Sequence, residues 1–456
     1  MDFIHSSTRE DTIAALATPP GMGGIAVVRV SGKKAINSVG KLAQKDLSEQ
    51  TSHTAVLRTV HFKEGVDKAL ILIMKAPRSF TGEDIVEIHC HGGHLVAKCI
   101  MHELSKVGVR PAEPGEFSLR AFLAGKIDLA QAEAIQDLVG ARNEEALRVA
   151  GEQLEGKLSR HVKAFQEQAT DLAAIFEAWV DFPEDDLGFC TFDDALEQLK
   201  GLKNGIEKLL RSFHTGRIVH DGISLCIVGA PNVGKSSLMN ALLGHGRAIV
   251  SPIAGTTRDI VEDDLRLKKL HCKLVDTAGI REAHDEIEQE GVRRSWEAMG
   301  RADVILAVLD ASRPDDQALQ RPLEGIPREK SLLIWNKIDL VQKRPLPTHG
   351  FHHVQEVSST TFQGIEHLGD EIEGFVLGGD LPSKEEVMIT NVRHRSALEE
   401  ALKATQRVIS GIETSLSPEF IALEMRDVLL SLGEIIGTNI TEDILSAIFS
   451  KFCIGK

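Results

Sequence analysis

The sequence predicts a multidomain chain: an α+β N-terminal domain, an all-α helical domain, and an α/β P-loop domain inserted into the helical one. Three observations predict it. The apolar residues change period twice along the chain. A G-x-x-x-x-G-K-[ST] loop stands between a strand-like run and a helix-like run. The length, 456 residues, holds two to four domains at about 100–200 residues each.

Residues 1–124 alternate short apolar runs with glycine turns, as in Ile25 to Val28 after GMGG, Ala69 to Met74, and Ile85 to Ile88 before HGGH. These read as strands with one or two helices. Over 125–215 the period becomes helical. Leu147, Leu154, Leu158, Val162, Phe165, Leu172, Phe176 and Trp179 form one apolar stripe, which breaks at Asp181 to Asp186. Leu196, Leu199, Ile206, Leu209 and Phe213 form a second. Residues 216–380 return to β/α alternation, with apolar runs at Ile223 to Val228, Lys273 to Val275, Val304 to Leu309 and Leu332 to Trp335. Helix-length segments between such runs signify a parallel sheet with crossover helices. Residues 381–456 are helical again, with Leu398, Leu402, Thr405 and Ile409 on one face.

Composition narrows the function. An apolar fraction of 42% supplies several cores, and 26% charged residues suits a water-facing surface. The net charge of −15 disfavours a broad phosphate-reading surface and leaves room for a local basic patch. Tyrosine is absent and aromatics are 4%, which argues against a base-stacking platform. Six cysteines without a C-x-x-C pair suit reduced thiols rather than disulfides or a structural zinc site. The terminal Cys-Ile-Gly-Lys only superficially matches a prenylation signal, since lysine is not a usual last residue. The N-terminus has no signal-peptide layout, and no stretch approaches a membrane span. The expectation is a soluble cytoplasmic protein with no membrane partner.

The strongest motif is Gly229-Ala230-Pro231-Asn232-Val233-Gly234-Lys235-Ser236. Its glycines let backbone N–H groups turn inward around phosphate oxygens, and the following helix adds positive potential. Lys235 reaches the β and γ phosphates in such a loop, and the Ser236 hydroxyl ligates Mg²⁺. Asp276-Thr277-Ala278-Gly279 follows another strand, where Asp276 serves the Mg²⁺ shell and Gly279 the γ-phosphate. Asn336-Lys337-Ile338-Asp339 ends a third; a carboxylate at Asp339 accepts guanine N1–H and N2–H₂, which adenine cannot offer. Thr256 and Thr257 lie where a threonine closes over the γ-phosphate. Ser358 and Ser359 take the place of a last base-contacting loop. Four ordered motifs at strand ends resemble a GTPase of the translation-factor-related class.

Ile280 occupies the position where many GTPases carry a water-orienting glutamine, so another group must do that work. Arg258, Arg281, Glu282, Asp285, Glu286, Glu288 and Glu290 all stand nearby in sequence.

The whole chain resembles the tRNA-modification GTPase MnmE (TrmE) family. The likeness rests on TPPGMGGIAVVRVSG (18–32), FTGEDIVEIHCHGG (80–93), PGEFSLRAFLAGKIDLAQAEAI (114–135), the motifs above with AIVSPIAGTTRD (248–259), and the terminal FCIGK (452–456). The resemblance implies an N-terminal folate-binding and dimerising domain, a helical domain and an inserted G domain. It implies GTP hydrolysis coupled to tRNA modification with an FAD-containing partner, MnmG (GidA), in a heterotetramer built on a homodimer. The product is an aminomethyl or carboxymethylaminomethyl group at C5 of the wobble uridine. The one-carbon donor is a tetrahydrofolate derivative, the 5-formyl or 5,10-methylene form.

Residue by residue, the resemblance implies folate contacts at Arg29, Glu87, Lys126 and Lys456. It implies GTP contacts at Asn232, Val233, Gly234, Lys235, Ser236 and Ser237, and at Ser251, Pro252, Ile253, Ala254, Gly255, Thr256 and Thr257. The same holds for Asp276, Thr277, Ala278, Gly279, Asn336, Lys337, Asp339, Ser358 and Ser359. Ser236 and Thr257 hold Mg²⁺. K⁺, held by Asn232, Ser251, Ile253 and Thr256, activates hydrolysis when two G domains meet, and Glu288 orients the water. Cys453 is open among a nucleophile, a thiol lining the folate and uridine site, and a small packed side chain. His89, Cys90 and His91 make a poor metal set, because on a strand Cys90 points away from the two histidines. Met22 stands where the family often has arginine, and Ser359 where it usually has alanine. The competing expectations are an RNA- or ribosome-binding switch GTPase and a folate enzyme with a regulatory G domain.

Overall fold

The computed structural model describes residues 11–181, 191–245, 264–267, 270–275, 299–320, 323–342, 346–377 and 386–455. The chain forms two compact units.

The first unit takes in residues 1–140, 150–207 and 396–456. Its sheet contains β1 (Ile13–Leu16), β2 (Ile25–Ser31), β3 (Thr54–Phe62), β4 (Gly65–Met74), β5 (Ile85–His91) and β6 (Arg110–Pro111). The order is β3-β4-β5-β2-β1-β6, antiparallel except for the β1–β6 pair. Two helices, α1 (Ala35–Leu42) and α2 (His94–Lys106), cover one face. Strand alternation sends Val28, Val30, Val86, Ile88 and Cys90 toward them, to pack on Ile36, Val39, Ile100 and Leu104. The same alternation turns Arg29 and Glu87 to the opposite face. There α3 (Glu116–Leu123) sets Phe117 beside Ile13 and Ala15.

A charge network, buried at Glu116 and Arg120 and partly exposed at Arg110 and Asp11, fastens α3 to the sheet edge. Glu116 accepts from Arg110 at 2.7 Å and from Arg120 at 2.9 Å, and Asp11 accepts from the same two arginines at 2.8 and 2.7 Å. Each charge is hydrogen-bonded, as burial demands.

The helices of this unit follow the apolar stripes with one correction. Lys157–Asp181 buries Leu158, Val162, Phe165, Leu172, Phe176 and Trp179 and packs on Pro418–Ile436. Leu147 and Leu154 belong to a separate helix, Glu144–Leu154, and Leu147 is 49% exposed. Gly156, in the left-handed region at φ +80°, turns the chain between them. Periodicity alone carried the stripe across that turn.

The second unit, residues 141–149 and 208–395, holds the other sheet. Its strands are β7 (Ile223–Val228), β8 (Asp264–Leu267), β9 (Leu270–Val275), β10 (Val304–Asp310), β11 (Ser331–Asn336) and β12 (Val354–Glu356). They run β12-β11-β10-β7-β9-β8, all parallel except the β8–β9 hairpin. Every residue of β10 and β11 is buried, as befits central strands of a parallel sheet covered on both faces. Among the described residues no helix is long and apolar enough to cross a membrane.

Candidate functional site

The loop between β7 and α4 (Lys235–His245) lies at the carboxyl end of a central parallel strand, where open α/β sheets bind ligands. The loop conformation requires its residue types. Gly234 has φ +97°, and a Cβ there would stand 2.3 Å from Asn336 Nδ2, so no other residue fits. Asn232 takes φ +65°, a conformation that asparagine tolerates better than most. Val233 is fully buried and pins the loop, while Ser236 and Ser237 are exposed in the first turn of α4.

Lys235 curls back over the loop, its Nζ donating to the carbonyls of Gly229 and Ala230 at 2.9 Å each. Burial pushes its ammonium below the ordinary lysine value. Two carbonyl oxygens do not neutralise a charge. A partly desolvated ammonium within a nest of backbone N–H groups is a site that gains from a bound anion.

The motif after β11 is tied to this loop at two points. Asn336 donates from Nδ2 to Val233 O at 3.1 Å, and its Oδ1 accepts from the Ser359 N–H and hydroxyl at 3.1 and 2.9 Å. Lys337 donates to Asn232 O at 2.7 Å and to Asp310 Oδ2 at 2.7 Å. Ser358 is fully buried and accepts the Thr361 N–H at 3.1 Å, which shapes the last loop. Asp339, in the short 3-10 turn Ile338–Leu340, is exposed. The turn follows directly on Asn336 and Lys337, which tie it to the phosphate loop.

Asp310 was missed in the sequence. It ends β10, and Ser312 donates to it from N and Oγ at 2.9 and 2.6 Å in addition to Lys337. Burial works to raise its pKa, but Lys337 and Ser312 prevail and hold the carboxyl below its usual range. An acid at the end of a central parallel strand was the available signal. The N–H of Ser359 is spent on Asn336 in this conformation, so that serine supports the base-side loop through Asn336.

Ser251, Pro252, Ile253, Ala254, Gly255, Thr256, Thr257, Asp276, Thr277, Ala278, Gly279 and Glu288 lie outside the described residues, as does Lys456.

The first unit brings together a second set. Arg29 on β2 faces Glu87 on β5 across the ladder, Nε to Oε1 at 2.9 Å. Arg29 Nη1 also donates to Gly455 O at 3.1 Å, and its guanidinium carbon lies 5.7 Å from the Phe117 ring centre. The C-terminal tail reaches this point because Phe449 and Phe452 bury among Leu119, Leu129 and Leu445. Gly455 has φ +95°, and a Cβ on it would meet Leu16 O at 2.7 Å. Cys453, whose carbonyl accepts the Gly115 N–H at 3.5 Å, is exposed. Lys126 is exposed, its side chain lying over Gly82. Met22 is fully exposed.

Within HCH the side chains are spoken for separately. His91 Nδ1 pairs with Asp67 at 2.5 Å, His89 lies 3.3 Å from Glu87, and Cys90 donates inward to Ala26 O. Burial, with Asp67 nearby, pushes the Cys90 thiol up to about 11. Among the described residues no group of three His, Cys, Asp or Glu side chains is placed to hold a metal.

A family model for the MnmE helical domain matches residues 129–453, and one for the GTP-binding protein TrmE N-terminus matches residues 12–126. The chain belongs to the MnmE family of tRNA modification GTPases. The helical-domain match brackets the P-loop sheet, which is the inserted arrangement. The tRNA modification GTPase MnmE of Protochlamydia amoebophila is 52% identical over 100% of both chains. That of Alkaliphilus oremlandii is 43% identical over 98% of this chain and 99% of its own. Among solved structures, the FeoB G-domain from Methanococcus jannaschii is 24% identical over 34% of this chain and 97% of that one, with a TM-score of 0.26. A score that low carries no argument.

Proposed function

We propose that this MnmE-family chain hydrolyses GTP and that hydrolysis drives a conformational cycle in the modification of tRNA at C5 of the wobble uridine. The partner in that reaction is an FAD-containing protein of the MnmG (GidA) kind, joined to a homodimer of this chain. The observation that supports the nucleotide half most is the double tie of Asn336 and Lys337 to the phosphate loop. It couples the base-reading loop to the phosphate cradle, so guanine recognition and phosphate positioning are one rigid task.

In this reading Lys235 leaves the carbonyls of Gly229 and Ala230 and turns to the β and γ phosphates, where its charge counters the charge that develops. Asp339 accepts two hydrogen bonds from guanine. Ser236, whose hydroxyl lies at the start of α4, fits a Mg²⁺ ligand, with Thr257 the second; the ion neutralises β- and γ-phosphate oxygens when bound. Asn232, Ser251, Ile253 and Thr256 would hold K⁺, which would supply positive charge where two G domains meet. Glu288 orients the water that Ile280 cannot.

The first unit suits a tetrahydrofolate derivative: Arg29 and Glu87 offer donors and an acceptor to a pterin edge or a carboxylate tail, beside the apolar Phe117. Lys126 and Lys456 add cations. When bound, the folate supplies the one-carbon unit. Cys453 is exposed on the tail that Gly455 ties to Arg29, so it can line that site.

The test is GTP turnover by the purified protein in matched KCl and NaCl buffers, with Glu288→Ala alongside. Turnover that strongly favours K⁺ and is lost in the variant supports the cation-activated dimeric cycle. Equal rates in the two salts sink the K⁺ assignment and point to a switch protein that awaits an external activator.

A further inference from the structure

An open groove of about 870 Å³ runs along α1 in the first unit, and lysines dominate the charge of its walls. The geometry follows from the amphipathic pattern of α1. Ala35, Ile36, Val39 and Leu42 bury on the sheet, which leaves Lys33, Asn37 and Lys41 facing water. The chain then doubles back, with the Lys45 N–H donating to Gly40 O at 3.0 Å and Leu47 buried as an anchor, so exposed Lys45 returns beside the end of the helix. Across the groove Lys75 Nζ is held by Ser48 O at 2.7 Å.

Two carboxylates also line it, and both serve the backbone. Asp84 accepts the Ala76 N–H at 2.9 Å, and Asp46 accepts the Ser48 N–H at 2.8 Å. Four lysines against two such acids make a cationic strip on a chain whose net charge is −15. No aromatic side chain lines the groove, so it offers no base-stacking surface. It lacks arginine forks and the aromatic or arginine anchors that concentrate energy at protein interfaces. Flexible ammonium groups suit phosphate as point charges and read no sequence.

We propose that Lys33, Lys41, Lys45 and Lys75 form a docking strip for the sugar–phosphate backbone of tRNA. The proposal rests on the reading of tRNA as substrate and adds where this acidic chain itself meets the polyanion. A duplex stem, recognised by shape and phosphates, fits this chemistry better than a single strand. The strip lies on the helix-covered side of the sheet, whereas Arg29 and Glu87 lie on the other, so it is separate from the folate-type site.

The experiment is fluorescence anisotropy of labelled, unfractionated tRNA titrated with the full chain between 50 and 200 mM KCl. The test variant is Lys33→Gln/Lys41→Gln/Lys45→Gln. The control, Lys98→Gln/Lys163→Gln/Lys403→Gln, makes the same change in net charge elsewhere. Each phosphate contact contributes about 0.7–0.9 to the slope of log Kd against log salt, so the test variant loses roughly two to three from that slope and binds more weakly at low salt. Its far-UV circular dichroism and its GTP turnover without tRNA stay as in the parent.

Equal slopes in parent and test variant, or an equal loss in the control, overturn the strip and leave the tRNA reading standing. No tRNA binding by the parent at 50 mM KCl overturns the strip together with any direct tRNA contact by this chain. Tighter binding of poly-L-glutamate than of tRNA at matched charge, lost in the test variant, overturns it in favour of an acidic protein partner.

Discussion

The two candidate sites are built in opposite ways. The nucleotide site collects strand ends along one edge of a parallel sheet, and each contribution is a short run of consecutive residues whose backbone does much of the work. The Arg29 site is assembled from two antiparallel strands, a helix and a tail residue 426 positions away. The first stands on loop conformation fixed by glycine and asparagine dihedrals. The second stands on the docking of Phe449 and Phe452, which bring the tail to it. Sites so different should fail separately.

The largest effect belongs to Lys235→Ala. Loss of one preorganised charge from a phosphoryl-transfer site costs about 10²–10³ in kcat. Binding of 5-formyltetrahydrofolate, read by calorimetry, stays unchanged in the same variant. A parallel collapse of folate binding would break the claim of independence.

Gly455→Val comes next and runs the other way. A branched side chain at φ +95° is strained, and its Cβ has no room against Leu16 O, so the tail must shift and Arg29 loses its carbonyl partner. A hydrogen bond to a charged group is worth about 1.5–3 kcal/mol, which is roughly a 10- to 150-fold loss of folate affinity. GTP turnover is expected to stay at the parental rate. Unchanged folate affinity would remove the tail from that site.

The contrast also explains what was legible in the sequence. Four motifs at strand ends announce a nucleotide site because phosphate binding demands fixed residue types at fixed spacing. Asn336, Lys337 and Val233 therefore lie where the motif order put them. Asp310 escaped because anchoring a lysine demands only an acid at a strand end, a signal too common to stand out. Arg29 and Glu87 carry no local signal; only the full-length family likeness singled them out, and the strand register then paired them. Phe117, beside the same arginine, was not found at all, since an aromatic in an apolar run reads as core. The helix break at Gly156 failed for a related reason: one stripe of leucines continues in register across a turn that a single glycine makes. Ser251 to Thr257, Asp276 to Gly279 and Glu288 lie outside the described residues.

The smallest effect tests whether the base-side loop depends on the charge of Asp310. Its folded-state pKa is held below the ordinary value by Lys337 and Ser312, against the cost of burial. A depressed carboxyl contributes stability that is fully present above the unfolded value, about 3.9, and is lost as pH falls through the folded value. Asp310→Asn keeps the shape and removes the charge. At pH 7 the variant should melt about 3–12 °C below the parent, from 1.5–3 kcal/mol for a hydrogen bond to a charged group and 2–4 °C per kcal/mol. Thermal unfolding of the nucleotide-free proteins from pH 7 to pH 3 should show that gap closing from the acid side, because the parent then also loses its ionised carboxylate. The absence of any gap at pH 7 would mean that Asp310 acts by shape alone. The hold of Lys337 on the phosphate loop would then need no partner charge, and the nucleotide site would rest still more on backbone conformation.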